Sequence, residues 1–118
     1  MILVLEDDAA IRKAILRVLE RAGYPAVGAS HPAEALRLAS ERDHAFRLLI
    51  TDFSFHAVTG RHVAEQLRAP RPDLRVLYIS GHPEGDVLPE GRLERGSAFL
   101  QKPFSMESLL SEVRALLQ

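Results

Sequence analysis

The chain has 118 residues, of which 47% are apolar, and its 15 basic and 16 acidic side chains leave a formal net charge of −1. That size and apolar content suit one domain with one ordinary core and argue against disorder. The charge balance gives no electrostatic footprint for nucleic acid or an anionic membrane.

There is no cysteine, which excludes disulfides, thiolate catalysis and zinc–thiolate sites. No apolar run reaches the roughly 18 residues of a membrane span. Met1 leads directly into ILVL with no basic n-region or cleavage site, so no signal peptide is expected. The expectation is a single soluble, cytoplasmic domain over 1–118.

ILVL (2–5) is a short continuous apolar run that suits a strand buried on both faces. Ile11, Ile15, Val18, Leu19 and Ala22 recur at helical spacing over about 9–22, with Gly23 as the residue past the helix end. PAVGA (25–29) predicts an edge-like strand led by a proline. HPAEALRLASER predicts a helix capped by His31, with Pro32 at its first position and Ala35, Leu36 and Ala39 inward. RLLIT (47–51) is a buried strand, followed by the loop DFSFHAVTG.

A helix near 60–69 turns Val63, Ala64 and Leu67 inward before RAPRP breaks it. LRVLYIS (74–80) and AFLQ (98–101) are the fourth and fifth strands. A last helix near 105–117 starts from Ser105 as N-cap and buries Leu109, Leu110, Val113, Leu116 and Leu117. Between the fourth and fifth strands, 82–96 holds Gly85, Pro89, Gly91 and Gly96. An interior glycine costs a helix about 1 kcal/mol and a proline about 3, so an irregular or very short helix is expected there.

The alternation implies right-handed βαβ units and a parallel sheet. The fold class is α/β, a flavodoxin-like (βα)5 arrangement with strand order 2-1-3-4-5. Ligands of such sheets bind beyond the carboxyl ends of the strands. The first strand is followed by Glu6, Asp7 and Asp8, the third by Asp52 and the fifth by Lys102; the fourth ends on Ser80. In that strand order Glu6, Asp7 and Asp52 converge on one rim, flanked by Ser80 and Lys102. Asp8 reads instead as the N-cap of the first helix.

Each like-charged pair at about 4 Å costs roughly 4 kcal/mol at an effective dielectric near 20, so either pKa values rise or a cation settles among the acids. Mg²⁺ suits all-oxygen ligands and takes one or two carboxylates while keeping waters. Asp7 and Asp52 would hold it, with Glu6 direct or through water and the Ser54 carbonyl as a further ligand. Asp52 can act as a nucleophile toward phosphorus, with Lys102 and the Ser80 hydroxyl on the phosphoryl oxygens.

LVLEDD (3–8), LLITD (48–52), Gly60 eight residues after Asp52, VLYISG (76–81) and FLQKPF (99–104) together resemble a response-regulator receiver domain of two-component phosphorelays. The pieces occur in family order across nearly the whole chain, and RPDLRVLYISGH with FLQKPF is similar to receivers at the C-terminal end of hybrid sensor histidine kinases. The resemblance implies that Asp52 accepts a phosphoryl group from a phosphohistidine on a histidine kinase or histidine phosphotransfer protein. It further implies a switch in which Ser80 moves toward the phosphoryl group and Phe99 rotates inward, changing the surface read by a downstream partner or attached kinase. Such a domain is a signalling substrate with modest self-catalysis rather than a turnover enzyme. The Lys102–Pro103 bond is often cis in relatives.

The sequence departs from the family pattern at His56, where a proline is usual, at the aromatic Phe53 and Phe55, and at Phe99, often a tyrosine. Ser54 and His82 occupy positions that tune phosphoryl hydrolysis in relatives. His44 and His62 read as solvent-facing, and neither His56 nor His82 is expected to bind metal. An alternative is a degenerate receiver, an interaction module that never needs phosphate. An independent aspartyl-phosphate phosphatase would need an acid where Ser54 stands, and a flavin site would need a Gly/Ser/Thr-rich phosphate loop after the first strand.

Overall fold

All four residues of strand β1 (Ile2–Leu5) are buried, as a strand covered on both faces requires. The computed structural model describes residues 1–41, 45–53, 60–81 and 96–118. After β1 come α1 (Ala9–Arg21), β2 (Ala26–Ala29), α2 (Pro32–Ser40), β3 (Leu48–Asp52), α3 (Gly60–Arg68), β4 (Arg75–Ser80), β5 (Ser97–Gln101) and α4 (Met106–Leu117). The strands form one parallel sheet in the order β2-β1-β3-β4-β5, as the alternation predicts.

Successive strand residues point to opposite faces, and each face meets its own helices. Ile2, Val4, Leu48, Ile50, Leu77 and Ile79 pack with Ile15 and Leu19 of α1 and Leu109 and Val113 of α4. Leu3, Leu5, Leu49, Val76 and Tyr78 pack with Ala35 and Leu38 of α2 and Val63, Ala64 and Leu67 of α3. Each fully buried aliphatic side chain contributes about 1.5–3 kcal/mol.

The helix ends follow their signals. Asp8 caps α1, its carboxylate accepting from the N–H groups of Ala10 (2.9 Å) and Ile11 (3.1 Å). Gly23, at φ 90°, stops α1: its N–H donates to the Glu20 carbonyl at 3.0 Å, and that of Tyr24 to Leu19 at 2.9 Å. That pair of bonds is the Schellman motif, which needs a left-handed residue at Gly23. His31 caps α2, Nδ1 accepting from the Glu34 N–H at 3.2 Å, and Ser105 caps α4 by accepting from Ser108 at 3.0 Å. The Lys102–Pro103 bond is cis.

Some expectations need correction. Ala22 is exposed at the helix end, and Leu16 instead packs against the α1 core. In α2 the buried residues are Ala35, Leu38 and Ala39, with Leu36 only partly buried. β3 runs one residue later than predicted: Arg47 is exposed, and Asp52 stays in the ladder opposite Ile79. In α4 only Leu109 and Val113 are fully buried; Leu110, Leu116 and Leu117 are half-buried against them. The irregular stretch expected over 82–96 lies, apart from Gly96, outside the described residues, as do Ser54, Phe55, His56 and His44.

Candidate functional site

Strand order and register bring the acids together. β1 and β3 are hydrogen-bonded neighbours with Leu5 opposite Thr51, so Glu6 and Asp52, the next residue on each chain, stand side by side. The Glu6 N–H donates to the Ala29 carbonyl at 3.1 Å, extending the β1–β2 ladder by one residue and fixing where the β1–α1 turn begins. One carboxylate oxygen each from Glu6, Asp7 and Asp52 lies within 4.8 Å of the others. Asp7 is exposed, Asp52 half-buried and Glu6 2% exposed.

Lys102 arrives from the end of β5. Its Nζ donates to Glu6 Oε1 at 3.0 Å and to Asp52 Oδ2 at 3.4 Å. Its backbone N–H donates to the Ser80 carbonyl at 2.6 Å, tying the β5 end to the end of β4, where Ser80 is buried. Asp52 is anchored on both sides: the Thr51 hydroxyl donates to its carbonyl at 2.9 Å, and the Phe53 N–H donates to Ile79 at 2.8 Å. Phe53 is buried with its ring edge-on to Tyr78, centroids 5.4 Å apart.

The electrostatics follow from burial. Burial pushes the Glu6 carboxyl above its usual range, the hydrogen bond with Asp7 adds to this, and Lys102 opposes it. Burial works against the Lys102 ammonium, but the Glu6 hydrogen bond and the Asp52 charge outweigh it and raise the amine above its usual range. Three carboxyl groups share the strand tips with one ammonium, which pairs with Glu6 and Asp52, so acid is in excess there. A cluster of hard oxygen donors, exposed at Asp7, fits a hydrated divalent cation of the magnesium type.

A family model described as the response regulator receiver domain matches residues 2–114. The chain belongs to the receiver family. It is 30% identical to the response regulator receiver protein CpdR of Brucella abortus over 116 residues, which is 98% of this chain and 95% of that one. It is 27% identical to the sensor kinase CckA of the same organism, covering 99% of this chain but 12% of the kinase. The crystal structure of the receiver domain from hybrid histidine kinase CckA superposes with a TM-score of 0.84 at 31% identity, covering 99% of this receiver and 98% of that one.

The receiver thus brings Glu6, Asp7, Asp52 and Lys102 to one rim, with the backbone of Ser80 beside them. Phe99 is half-buried against the core that holds Phe53 and Tyr78, and faces Tyr78 across the β4–β5 pair. Ser54 lies outside the described residues.

Sequence reasoning missed that Glu6 is the nearer partner of Lys102, and it missed Thr51 and Arg12. The Arg12 guanidinium donates to the Glu6 carbonyl at 2.7 Å. Its signal was a basic residue in the first turn of a helix, where the dipole disfavours one. Among the described residues no helix is long and apolar enough to cross a membrane.

Proposed function

We propose that residues 1–118 form a single cytoplasmic receiver domain that takes a phosphoryl group from a phosphohistidine onto Asp52, in a Mg²⁺-dependent reaction, and changes shape to control a partner or attached kinase. The observation that carries this reading is the clustering of the Glu6, Asp7 and Asp52 carboxylates under the Lys102 ammonium.

In the step, an Asp52 carboxylate oxygen forms the O–P bond, the N–P bond of the donor breaks, and the departing imidazole keeps the electron pair and takes up a proton. Glu6, Asp7 and Asp52 would hold Mg²⁺, with the Ser54 carbonyl as a further ligand. Bound there, the ion supplies charge neutralisation for the acids and the incoming phosphoryl oxygens. Asp52 is held in line by the β3–β4 ladder, so little reorganisation precedes attack. Lys102 exchanges part of its contact with Asp52 for a phosphoryl oxygen and remains anchored to Glu6. Ser80 and Phe99 carry the switch. The catalysis is limited to self-phosphorylation and dephosphorylation, and the domain touches neither nucleic acid nor membrane.

Beryllium fluoride, a phosphoryl mimic, tests the reading when added with Mg²⁺ and followed by amide NMR. Shifts at Asp52, Ser80 and Lys102 that need both additives and vanish in Asp52→Asn are expected. No shift, under conditions that saturate another receiver, contradicts the reading and favours the phosphate-independent interaction module.

A further inference from the structure

We infer that Arg12 is a positioning residue for the acidic site, holding the Glu6–Asp7 turn in place from a bed that Gly28 provides on the neighbouring strand. The inference rests on the phosphoacceptor reading above and goes beyond it in assigning a role to two residues outside the acid–lysine cluster.

Arg12 sits in the first turn of α1, where its backbone N–H donates to the Asp8 carbonyl at 2.9 Å. A cation there opposes the helix dipole, so it adds nothing to the helix by its charge. Among the described residues it forms no ion pair. Its guanidinium instead reaches back over six residues and donates to the Glu6 carbonyl at 2.7 Å. That carbonyl belongs to the peptide joining Glu6 to Asp7, so the bond fixes the plane from which both carboxylates depart.

The path of the side chain depends on β2. A Cβ built on Gly28 would lie 3.1 Å from Arg12 Cδ, 3.3 Å from its Cγ and 2.9 Å from Leu16 Cδ1. The arginine stem therefore lies directly on the Gly28 backbone, and any larger residue must push it or Leu16 aside. Both are flexible side chains, so the fold can adjust while the guanidinium moves. Gly28 pairs with Val4 in the β1–β2 ladder, two residues before Glu6, and contributes no polar side chain of its own. Its link to the acids runs through Arg12.

The test uses Mg²⁺ alone, titrated calorimetrically into the full chain. Arg12→Met keeps the stem and removes the donors; at high salt, where the lost positive charge is screened, it should weaken Mg²⁺ binding about tenfold, the lower end of what outer-shell partners of metal ligands contribute. Arg12→Lys, which keeps the positive charge and an ammonium donor, should recover part of the loss. Gly28→Ala should weaken binding in the same direction, and the double variant Gly28→Ala/Arg12→Met should be no worse than Arg12→Met alone. Wild-type affinity in Arg12→Met at high salt, or losses that simply add in the double variant, would overturn the inference.

A second readout does not need the metal. The Glu6 N–H donates to Ala29 and that of Asp8 to the Glu6 carboxylate, and amide hydrogen exchange at both should accelerate in Arg12→Met while β3 and β4 stay protected. If the wild type takes up no Mg²⁺, the phosphoacceptor reading fails on its own, and unchanged exchange at Glu6 and Asp8 then also refutes the positioning role.

Discussion

Removing the ammonium of Lys102 while keeping its stem, as in Lys102→Met, separates what the lysine does for the fold from what it does for the proposed Mg²⁺ site. Its Nζ lies 3.0 Å from Glu6 and 3.4 Å from Asp52. Each contact has a gross Coulomb energy of about 5 kcal/mol at an effective dielectric near 20. Breaking a fully buried pair costs about 3–5 kcal/mol because the other charge is left stranded. Here the Glu6 side chain is 3% exposed but that of Lys102 is 26% exposed, so solvent screening reduces the expected loss. About 1–3 kcal/mol at neutral pH remains.

The pH dependence has a definite sign. Burial already raises the Glu6 carboxyl, and Lys102 is what holds it down, so the variant raises it further. A carboxyl whose folded pKa lies above its unfolded value costs stability when ionised, and that cost disappears as the pH falls through the folded pKa. The deficit of Lys102→Met should therefore be largest near neutral pH and shrink on acidification. Mg²⁺ should bind the variant about three- to tenfold more tightly, since a positive charge in contact with two of the three acids has gone. Urea unfolding in metal-free buffer, across a pH series, and Mg²⁺ calorimetry measure both effects. A variant as stable as wild type at neutral pH, or a deficit that grows on acidification, would refute the claim that Lys102 offsets the buried Glu6 charge.

Other expectations follow from the scaffold. Gly23→Ala should destabilise by about 1–2 kcal/mol through its left-handed backbone alone, since nothing lies within 4 Å of the added Cβ; Gly23→Asn should lose less, by urea unfolding. Leu77→Ala empties a fully buried site between β4 and the α1–α4 layer, and should cost about 2–5 kcal/mol in the same assay. Glu34 accepts from the Ser30 N–H at 2.7 Å, and that bond holds its carboxyl below the ordinary value of 4.5. Its stabilisation is present above 4.5 and lost as the pH falls through the lower folded pKa, so thermal melts of wild type and Glu34→Gln should converge on acidification.

The continuous runs ILVL and RLLIT announced strands covered on both faces, and the alternation with amphipathic helices led to the sheet order. Once that order stood, the acids after the first and third strands had to meet, although 46 positions separate Glu6 from Asp52. Run-like strands carry no alternating pattern, so the face on which Leu3 or Val4 lies was decided only by the helices above them. Ala22 was placed inward and Leu38 was passed over in favour of Leu36 because a helical period fits two adjacent stripes almost equally well, and packing chooses between them.

Asp52 stayed in β3 because its register with Ile79 continues the ladder past the apolar residues. The Lys102–Glu6 contact spans 96 positions, and the Arg12–Glu6 bond depends on how α1 lies across Gly28. Neither leaves a periodicity in the sequence.

The central claim is that Asp52 is a magnesium-dependent phosphoacceptor. The intact mass of the wild type and of Asp52→Asn after incubation with acetyl phosphate and Mg²⁺ tests it most directly. Wild type should gain one phosphoryl group, in a reaction stopped by chelation, and the variant should gain none. An unchanged wild-type mass under conditions that label another receiver, or equal labelling of the variant, would contradict the account.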